Sequence, residues 1–147
     1  MRTFNPMRNS KILFFVWMFG LAGCVVIQQK NSTYSALNGT WKPISEIIAG
    51  NPFPETVWAT QRLMMYDSSY ILSAESIDAG KAILTDSTMD IYGLEGPNAG
   101  KHFKARYKLQ NDTLTICYDL TGTVYPESFI SNYDNFYFLA TFVRDQE

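Results

Sequence analysis

Apolar and polar side chains alternate in short runs from residue 37 to the C-terminus, and turn-forming residues separate the runs. A period of two is typical of β-strands that bury one face, and no window of roughly twelve residues keeps a helical stripe. The pattern predicts a meander of short antiparallel strands that closes into a barrel or folds into a sandwich. One helical turn is expected at residues 54–58, where Pro54 is suited to a helix start.

The clearest register prediction concerns a hairpin between residues 102–109 and 113–120. If Asn111 and Asp112 form a two-residue turn, every apolar residue of one strand faces an apolar residue of the other. The pairs are Leu109 with Leu114, Tyr107 with Ile116, Ala105 with Tyr118 and Phe103 with Leu120. A slip by one position would set apolar against polar side chains, so the register is well specified.

The final run, residues 136–143, is apolar on both faces. We therefore expect this strand to be covered on both sides or to close the barrel, because an open edge would invite aggregation.

The N-terminal residues follow a different pattern, with a basic start and then an uncharged apolar run over residues 12–22. A membrane-spanning helix needs about 20 apolar residues, so this run suits the shorter core of a signal peptide. The run ends in Leu21-Ala22-Gly23-Cys24, which resembles the lipobox of bacterial lipoprotein precursors. The resemblance implies cleavage after Gly23 and a lipid on the Cys24 thiol, whose acyl chains hold the protein on a bilayer.

Two alternatives to the lipoprotein interpretation remain, an uncleaved helical anchor and ordinary secretion, since residues 25–27 extend the apolar run. The preferred division is a signal peptide over 1–23, a lipidated cysteine with a tether over 24–34, and one domain over 35–147. We expect the protein in the bacterial cell envelope. Because Val25 and Val26 rather than acidic residues follow Cys24, an outer-membrane anchor facing the periplasm is preferred.

Charge and cysteine content restrict the partners. The chain has 12 basic and 14 acidic residues, and loss of Arg2, Arg8 and Lys11 with the signal peptide leaves nine basic residues, a net charge of −5. That balance argues against a nucleic-acid partner. A lipidated Cys24 leaves Cys117 without a disulfide partner, so Cys117 is expected to be a small buried hydrophobic residue.

The segment Gly39-Thr40-Trp41 resembles the Gly-x-Trp motif that opens the first strand of lipocalin-type domains. A longer ordered series is similar to a bacterial lipocalin-like domain family of uncharacterised function; it comprises residues 39–42, 50–54, 95–101, 107–109, 112–114 and 117–118. The resemblance implies an all-β fold, an up-and-down antiparallel β-barrel of about eight strands, either filled by side chains or holding one small ligand. It also implies a cation–π contact between Trp41 and Arg144 at the closed end of the barrel.

Aromatic and methionine side chains are abundant on the predicted strands, so the interior is either a filled core or an apolar pocket. The candidates for lining such a pocket are Phe103, Tyr107, Ile116, Tyr118 and Phe138. Buried tyrosine hydroxyls need hydrogen-bond partners, which a ligand can supply.

No arrangement of residues indicates catalysis or a metal centre. His102 is the only histidine, and a zinc site would need more nitrogen or sulfur ligands than Cys117 can add. Residues 96–101 lack the glycine spacing of a phosphate-binding loop, so a turn is expected. Acidic residues scattered over turns and strand faces predict solvated surface; they are Asp67, Glu75, Asp78, Asp86, Asp90 and Glu95.

A basic stripe, Lys104, Arg106 and Lys108, occupies one strand face. It predicts an outward solvated face or, alternatively, contact with anionic lipid headgroups or an acidic partner.

Two functions remain open. The first is a membrane-tethered barrel that binds a small apolar or amphipathic molecule. The alternative is an envelope protein-interaction or inhibitor module with no internal ligand, which would use residues 125–127 and 131–135. We expect no enzymatic activity and no cofactor, a membrane contact through the N-terminal lipid, and a monomer.

Overall fold

The alternating runs become antiparallel strands in the computed structural model, which describes residues 33–146. The strands are β1 (Gly39–Ile48), β2 (Asn51–Pro52), β3 (Arg62–Tyr66), β4 (Ser69–Ser73), β5 (Ile77–Leu84), β6 (Thr88–Glu95), β7 (His102–Gln110), β8 (Thr113–Asp119) and β9 (Tyr137–Arg144). A short helix, α1 (Glu55–Trp58), has Pro54 at its N-cap, as the sequence predicted. The lipobox and Cys24 lie outside the described residues.

Eight of the strands close into an up-and-down barrel. Each strand from β3 to β8 pairs with the next, and β1 pairs with β3 on one side and with β9 on the other. The two-residue β2 pairs with the end of β1. The predicted barrel is therefore confirmed over the sandwich, and the final run does close it.

The predicted hairpin register is confirmed over most of its length. Gln110 pairs with Thr113 across the turn, and Tyr107 pairs with Ile116. The ladder stops at the pair of Ala105 with Tyr118, so the expected Phe103–Leu120 pair is absent. The chain turns after Asp119, where the backbone N–H of Gly122 donates to the Asp119 carbonyl at 3.0 Å.

The two ends of the barrel differ in their connections. At one end, called here the packed end, short turns at residues 67–68, 85–87 and 111–112 join the strands, and the helical residues 33–37 lie beside them. At the other end, called the mouth, the connections include residues 49–61 and 120–136.

The packed end is organised around Trp41, which is fully buried. The Arg144 guanidinium carbon lies 4.3 Å from the centre of the Trp41 ring, so the expected cation–π contact is present. Arg144 Nη1 and Nη2 also donate to the carbonyls of Asn38 and Ala36, at 2.8 and 2.9 Å. Gly39 has a φ of +131°, and a Cβ there would lie 2.9 Å from Arg144 Nη1. The positive φ therefore favours glycine at this position, and the absence of a side chain leaves room for the guanidinium.

The helical residues 33–37 cover the packed end. Leu37 is 1% exposed, and its carbonyl accepts a hydrogen bond from Trp41 Nε1 at 2.8 Å. The Tyr34 hydroxyl accepts a hydrogen bond from the backbone N–H of Leu84 at 3.0 Å. Thr33 and Tyr34, which the sequence assigned to the tether, thus belong to this helical segment.

The loop of residues 120–136 lies against the outer face of β7 and β8. Burial acts to raise the pKa of the Asp119 carboxyl, but hydrogen bonds from Thr121, Val124 and Thr123 outweigh it and lower the pKa to about 2. The basic stripe holds the same loop: Arg106 Nε donates to the Pro126 carbonyl at 2.7 Å. Lys104 also donates to this loop, whereas Lys108 is exposed, so the stripe is only in part the solvated face that the sequence favoured.

We expect Arg144→Met to lower the free energy of unfolding by about 2 kcal/mol, because it removes two charge-assisted hydrogen bonds and the ring contact. Urea denaturation of the purified protein measures the change. The control is Lys42→Met on the same ladder, whose exposed side chain should cost less than about 0.5 kcal/mol. Equal losses in the two variants would contradict the role given to Arg144.

Candidate functional site

A cavity of about 290 Å³ occupies the barrel between its middle and the mouth. Apolar side chains form most of its wall; the lining residues are Glu46, Phe53, Val57, Gln61, Leu63, Met65, Tyr70, Leu72, Asp78, Ala82, Met89, Ile91, Asn98, Phe103, Ile116, Tyr118, Phe138, Ala140 and Phe142. Val57 lies on α1 and is 48% exposed, so the cavity reaches the surface beside this helix. The interior is thus a pocket rather than a filled core.

Four of the five predicted lining residues border the cavity: Phe103, Ile116, Tyr118 and Phe138. The three aromatic rings form a row. The ring centroids are 5.6 Å apart between Phe103 and Tyr118 and 5.1 Å apart between Tyr118 and Phe138. The prediction for Tyr107 was wrong. Tyr107 lies nearer the packed end, where its hydroxyl donates to the carbonyl of Thr85 at 2.7 Å.

A β-bulge directs Glu46 into the cavity. In the ladder of β1 with β9, Pro43 pairs with Phe142 but Ser45 pairs with Thr141, so Ile44 is an extra residue. An extra residue in a strand moves every later side chain to the opposite face. Glu46 therefore shares the inner face with Ala140, its partner on β9, and both line the cavity.

The Glu46 carboxyl has no hydrogen-bond partner within residues 33–146, although the residue is only 5% exposed. Every fully buried side-chain oxygen in the described part has a hydrogen-bond partner, so the unpartnered oxygens of Glu46 must be accessible. Glu46 lines the cavity, which is therefore the space that its oxygens border. Burial raises the pKa of this carboxyl from 4.5 to about 7. Small Ala140, directly across the ladder, leaves the carboxyl unobstructed on that side.

Tyr118 supplies a second polar group to the same space. No side chain or backbone group in the described region hydrogen-bonds its hydroxyl. Burial raises the pKa of Tyr118, and the negative charges of Glu46 and Asp78 raise it further. The hydroxyl therefore lies within electrostatic reach of both carboxylates.

Asp78 also contributes a carboxylate to the cavity, and unlike Glu46 it accepts hydrogen bonds from the protein. Its oxygens accept hydrogen bonds from the Tyr70 hydroxyl at 3.0 Å, from the Asn98 backbone N–H at 3.0 Å and from Asn98 Nδ2 at 3.1 Å. Gly80 faces Tyr70 across the ladder, and a Cβ there would lie 2.8 Å from the ring. Asp78 is 6% exposed, so the predicted solvated position was wrong.

Residues 96–101 form the expected turn, which includes a single 3₁₀ turn, Gly96–Asn98. Nothing in the pattern of residues 96–101 predicted that Asn98 would line the cavity. Glu46 was missed as well, because local alternation does not show that Ile44 is an extra residue in the pairing with β9.

His102 lies on the outer face and does not contribute to the cavity. Its Nε2 lies 2.7 Å from Asp90 Oδ1, and its ring stacks on Tyr92 at 4.3 Å. The second oxygen of Asp90 accepts a hydrogen bond from the Tyr125 hydroxyl at 2.7 Å. Within the described residues no serine, threonine or cysteine hydrogen-bonds this histidine, so the geometry shows no nucleophile.

Cys117 faces the outer side beneath the loop and is completely buried. Burial raises the pKa of its thiol to about 11, which keeps it protonated and unreactive at neutral pH.

Among residues 33–146, no three His, Cys, Asp or Glu side chains lie together as a metal site requires. The helices described are all too short or too polar to cross a bilayer. Comparisons with protein-family models, with curated proteins and with solved structures find no match for this chain.

The buried Glu46 carboxyl should make stability depend on pH. Because its folded pKa of about 7 exceeds the unfolded value of 4.5, the folded state holds the proton more tightly, and stability falls as pH rises from 4.5 through 7. The expected loss is on the order of 3 kcal/mol above neutral pH. The other titratable groups that line the cavity, Tyr70, Asp78 and Tyr118, are unchanged in the test variant.

Urea denaturation at pH 5 to 8 compares the unmodified protein with Glu46→Gln, which should lose this part of the pH slope. Glu55→Gln, on exposed α1, serves as the control and should keep the slope. If the free energy of unfolding changed equally with pH in the unmodified protein and in Glu46→Gln, the Glu46 carboxyl would not titrate in this range.

Proposed function

We propose that this protein binds one small, mainly apolar molecule inside its β-barrel. The observation that carries the proposal is the cavity of about 290 Å³, lined mostly by apolar side chains and reaching the surface at Val57. Sites for small molecules are typically concave and apolar, with a few polar groups that fix orientation. Glu46, Asp78 and Tyr118 are such groups here.

The cavity volume sets the ligand size. An apolar cavity of roughly 150 Å³ accepts benzene, so a space of this volume suits a molecule of about twelve non-hydrogen atoms. A molecule with the bulk of a substituted naphthalene or a medium-length alkyl chain meets that limit.

We also propose that the protein is an envelope lipoprotein with a lipocalin-like domain. The lipobox resemblance at residues 21–24 supports the anchor, and the placement of Gly39, Trp41 and Arg144 at the packed end supports the family resemblance. The helical residues 33–37 lie at that same end. A lipid anchor on Cys24 would therefore connect at the end opposite the mouth.

The alternative, a protein-interaction module, has less support. Of its proposed contact residues, Pro126 is almost completely buried and Tyr125 is bound to Asp90. Residues 125–127 are thus part of the loop that packs on the barrel.

Binding inside the barrel is tested with 1-naphthalenemethanol, a neutral fluorescent probe of suitable size. Ala82 lines the cavity and is 1% exposed, so Ala82→Phe should fill part of the space and weaken binding about tenfold or more. The control, Ile83→Phe, places the same side chain at the next position, which is 37% exposed on the outer face. Unchanged affinity in Ala82→Phe would place the probe elsewhere.

Lipidation is tested by growing an expressing bacterium with a palmitate analogue that can be labelled. We expect label on the unmodified chain and none on Cys24→Ala. Cys117→Ala removes the other cysteine, which is buried, and should keep the label. Label that persists in Cys24→Ala would contradict the lipoprotein proposal.

A further inference from the structure

Among the residues that the structure describes, the charged groups that line the cavity all carry the same sign. These residues place two carboxylic acids in the lining, Glu46 and Asp78, and no lysine, arginine or histidine. Three hydrogen bonds from Tyr70 and Asn98 satisfy Asp78. Glu46 has no protein partner in the described chain, so its carboxyl is available to whatever enters.

We infer that the cavity selects an amphipathic amine, whose apolar body occupies the barrel while its ammonium group pairs with the Glu46 carboxylate. This inference rests on the proposed function, since it requires a ligand in the cavity. It specifies the chemical class of that ligand and the residue that recognises its polar end.

The unpartnered carboxyl of Glu46 explains why a cationic ligand is preferred to an anionic one. An anionic ligand, such as a fatty acid, would bring a carboxylate beside Glu46 and Asp78 without a cation to neutralise it, and like charges in a poorly solvated space repel strongly. An ammonium group instead supplies up to three N–H donors. It can satisfy the unpartnered Glu46 oxygens and donate to the free hydroxyl of Tyr118.

The aromatic row provides the rest of the site. Phe103, Tyr118 and Phe138 line the cavity in succession, and Phe53 continues the row with its ring centroid 6.3 Å from that of Phe138. In the register, Phe138 is two residues from Ala140, the partner of Glu46, so the row begins beside the carboxyl. Aromatic faces attract cations and provide apolar area for the ligand body.

The backbone next to Glu46 also connects the site to the mouth. The backbone N–H of Phe53 donates to the Glu46 carbonyl at 2.8 Å. This contact fixes the segment that precedes α1 against the strand that carries the carboxyl. Phe53 and Val57 then border the space between Glu46 and the surface.

The test compares three probes of almost equal size and different charge: 1-naphthalenemethylamine, 1-naphthalenemethanol and 1-naphthoate. Their affinities are measured by calorimetry at pH 8 on the full chain in lipid nanodiscs, with empty nanodiscs as the blank. We expect the amine to bind about tenfold or more tightly than the alcohol, because it adds a charge-assisted hydrogen bond, and the naphthoate to bind most weakly.

Glu46→Gln should reduce the affinity for the amine about tenfold and leave the affinity for the alcohol within about threefold. Glu55→Gln, which removes the same charge from exposed α1, should change neither value. The order of the three probes on the unmodified protein provides the test even if the Glu46 variant does not fold.

The outcomes separate the two proposals. Equal binding of the three probes, or tighter binding of the naphthoate, would overturn the inference and leave an apolar binding barrel in place. A preference for the amine that persists in Glu46→Gln would also overturn the inference, because a group other than Glu46 would then bind the ammonium. If no probe binds, the proposed function itself fails.

Discussion

The antiparallel ladder between β1 and β9 closes the barrel, and its register decides which side chains of β1 face the interior. At the packed end the ladder begins with Trp41 opposite Arg144, where the guanidinium covers the indole and holds two backbone carbonyls. Further along the same ladder, the extra residue Ile44 reverses the facing of β1. Closure, the packed end and the orientation of Glu46 therefore depend on a single pairing of strands.

The bulge divides the barrel interior into two regions of different character. Before it, Trp41 and Pro43 are buried and contribute to a solid core at the packed end. After it, the inner face of β1 presents Glu46, and the facing position on β9 is only an alanine. A large apolar residue at either site would extend the core toward the mouth. The pocket exists because the ladder places a polar and a small residue there instead.

Local alternation was sufficient to predict the strands, the hairpin register and the closing role of the last strand, since each depends on which residues lie two positions apart. The positions of Trp41 and Arg144 followed from the family resemblance rather than from periodicity. Glu46 and Asp78 could not be found this way. A bulge adds one residue to one strand, and its position depends on the partner strand, which local alternation does not contain. The buried site of Asp78 depends on Asn98, twenty residues further along the chain.

The two cavity carboxyls show how burial can be compensated in different ways. Asp78 receives its hydrogen bonds from the fold, so its burial costs little and it stabilises the turn that carries Asn98. Glu46 receives none from the described chain, and the raised pKa reflects an uncompensated burial. A leucine or methionine at that position would remove this cost, because an apolar side chain needs no partner. Residues that break a local rule in this way concentrate at functional sites. The same reasoning distinguishes Glu46 from Asp90 on the outer face, where both carboxylate oxygens already have protein partners in His102 and Tyr125.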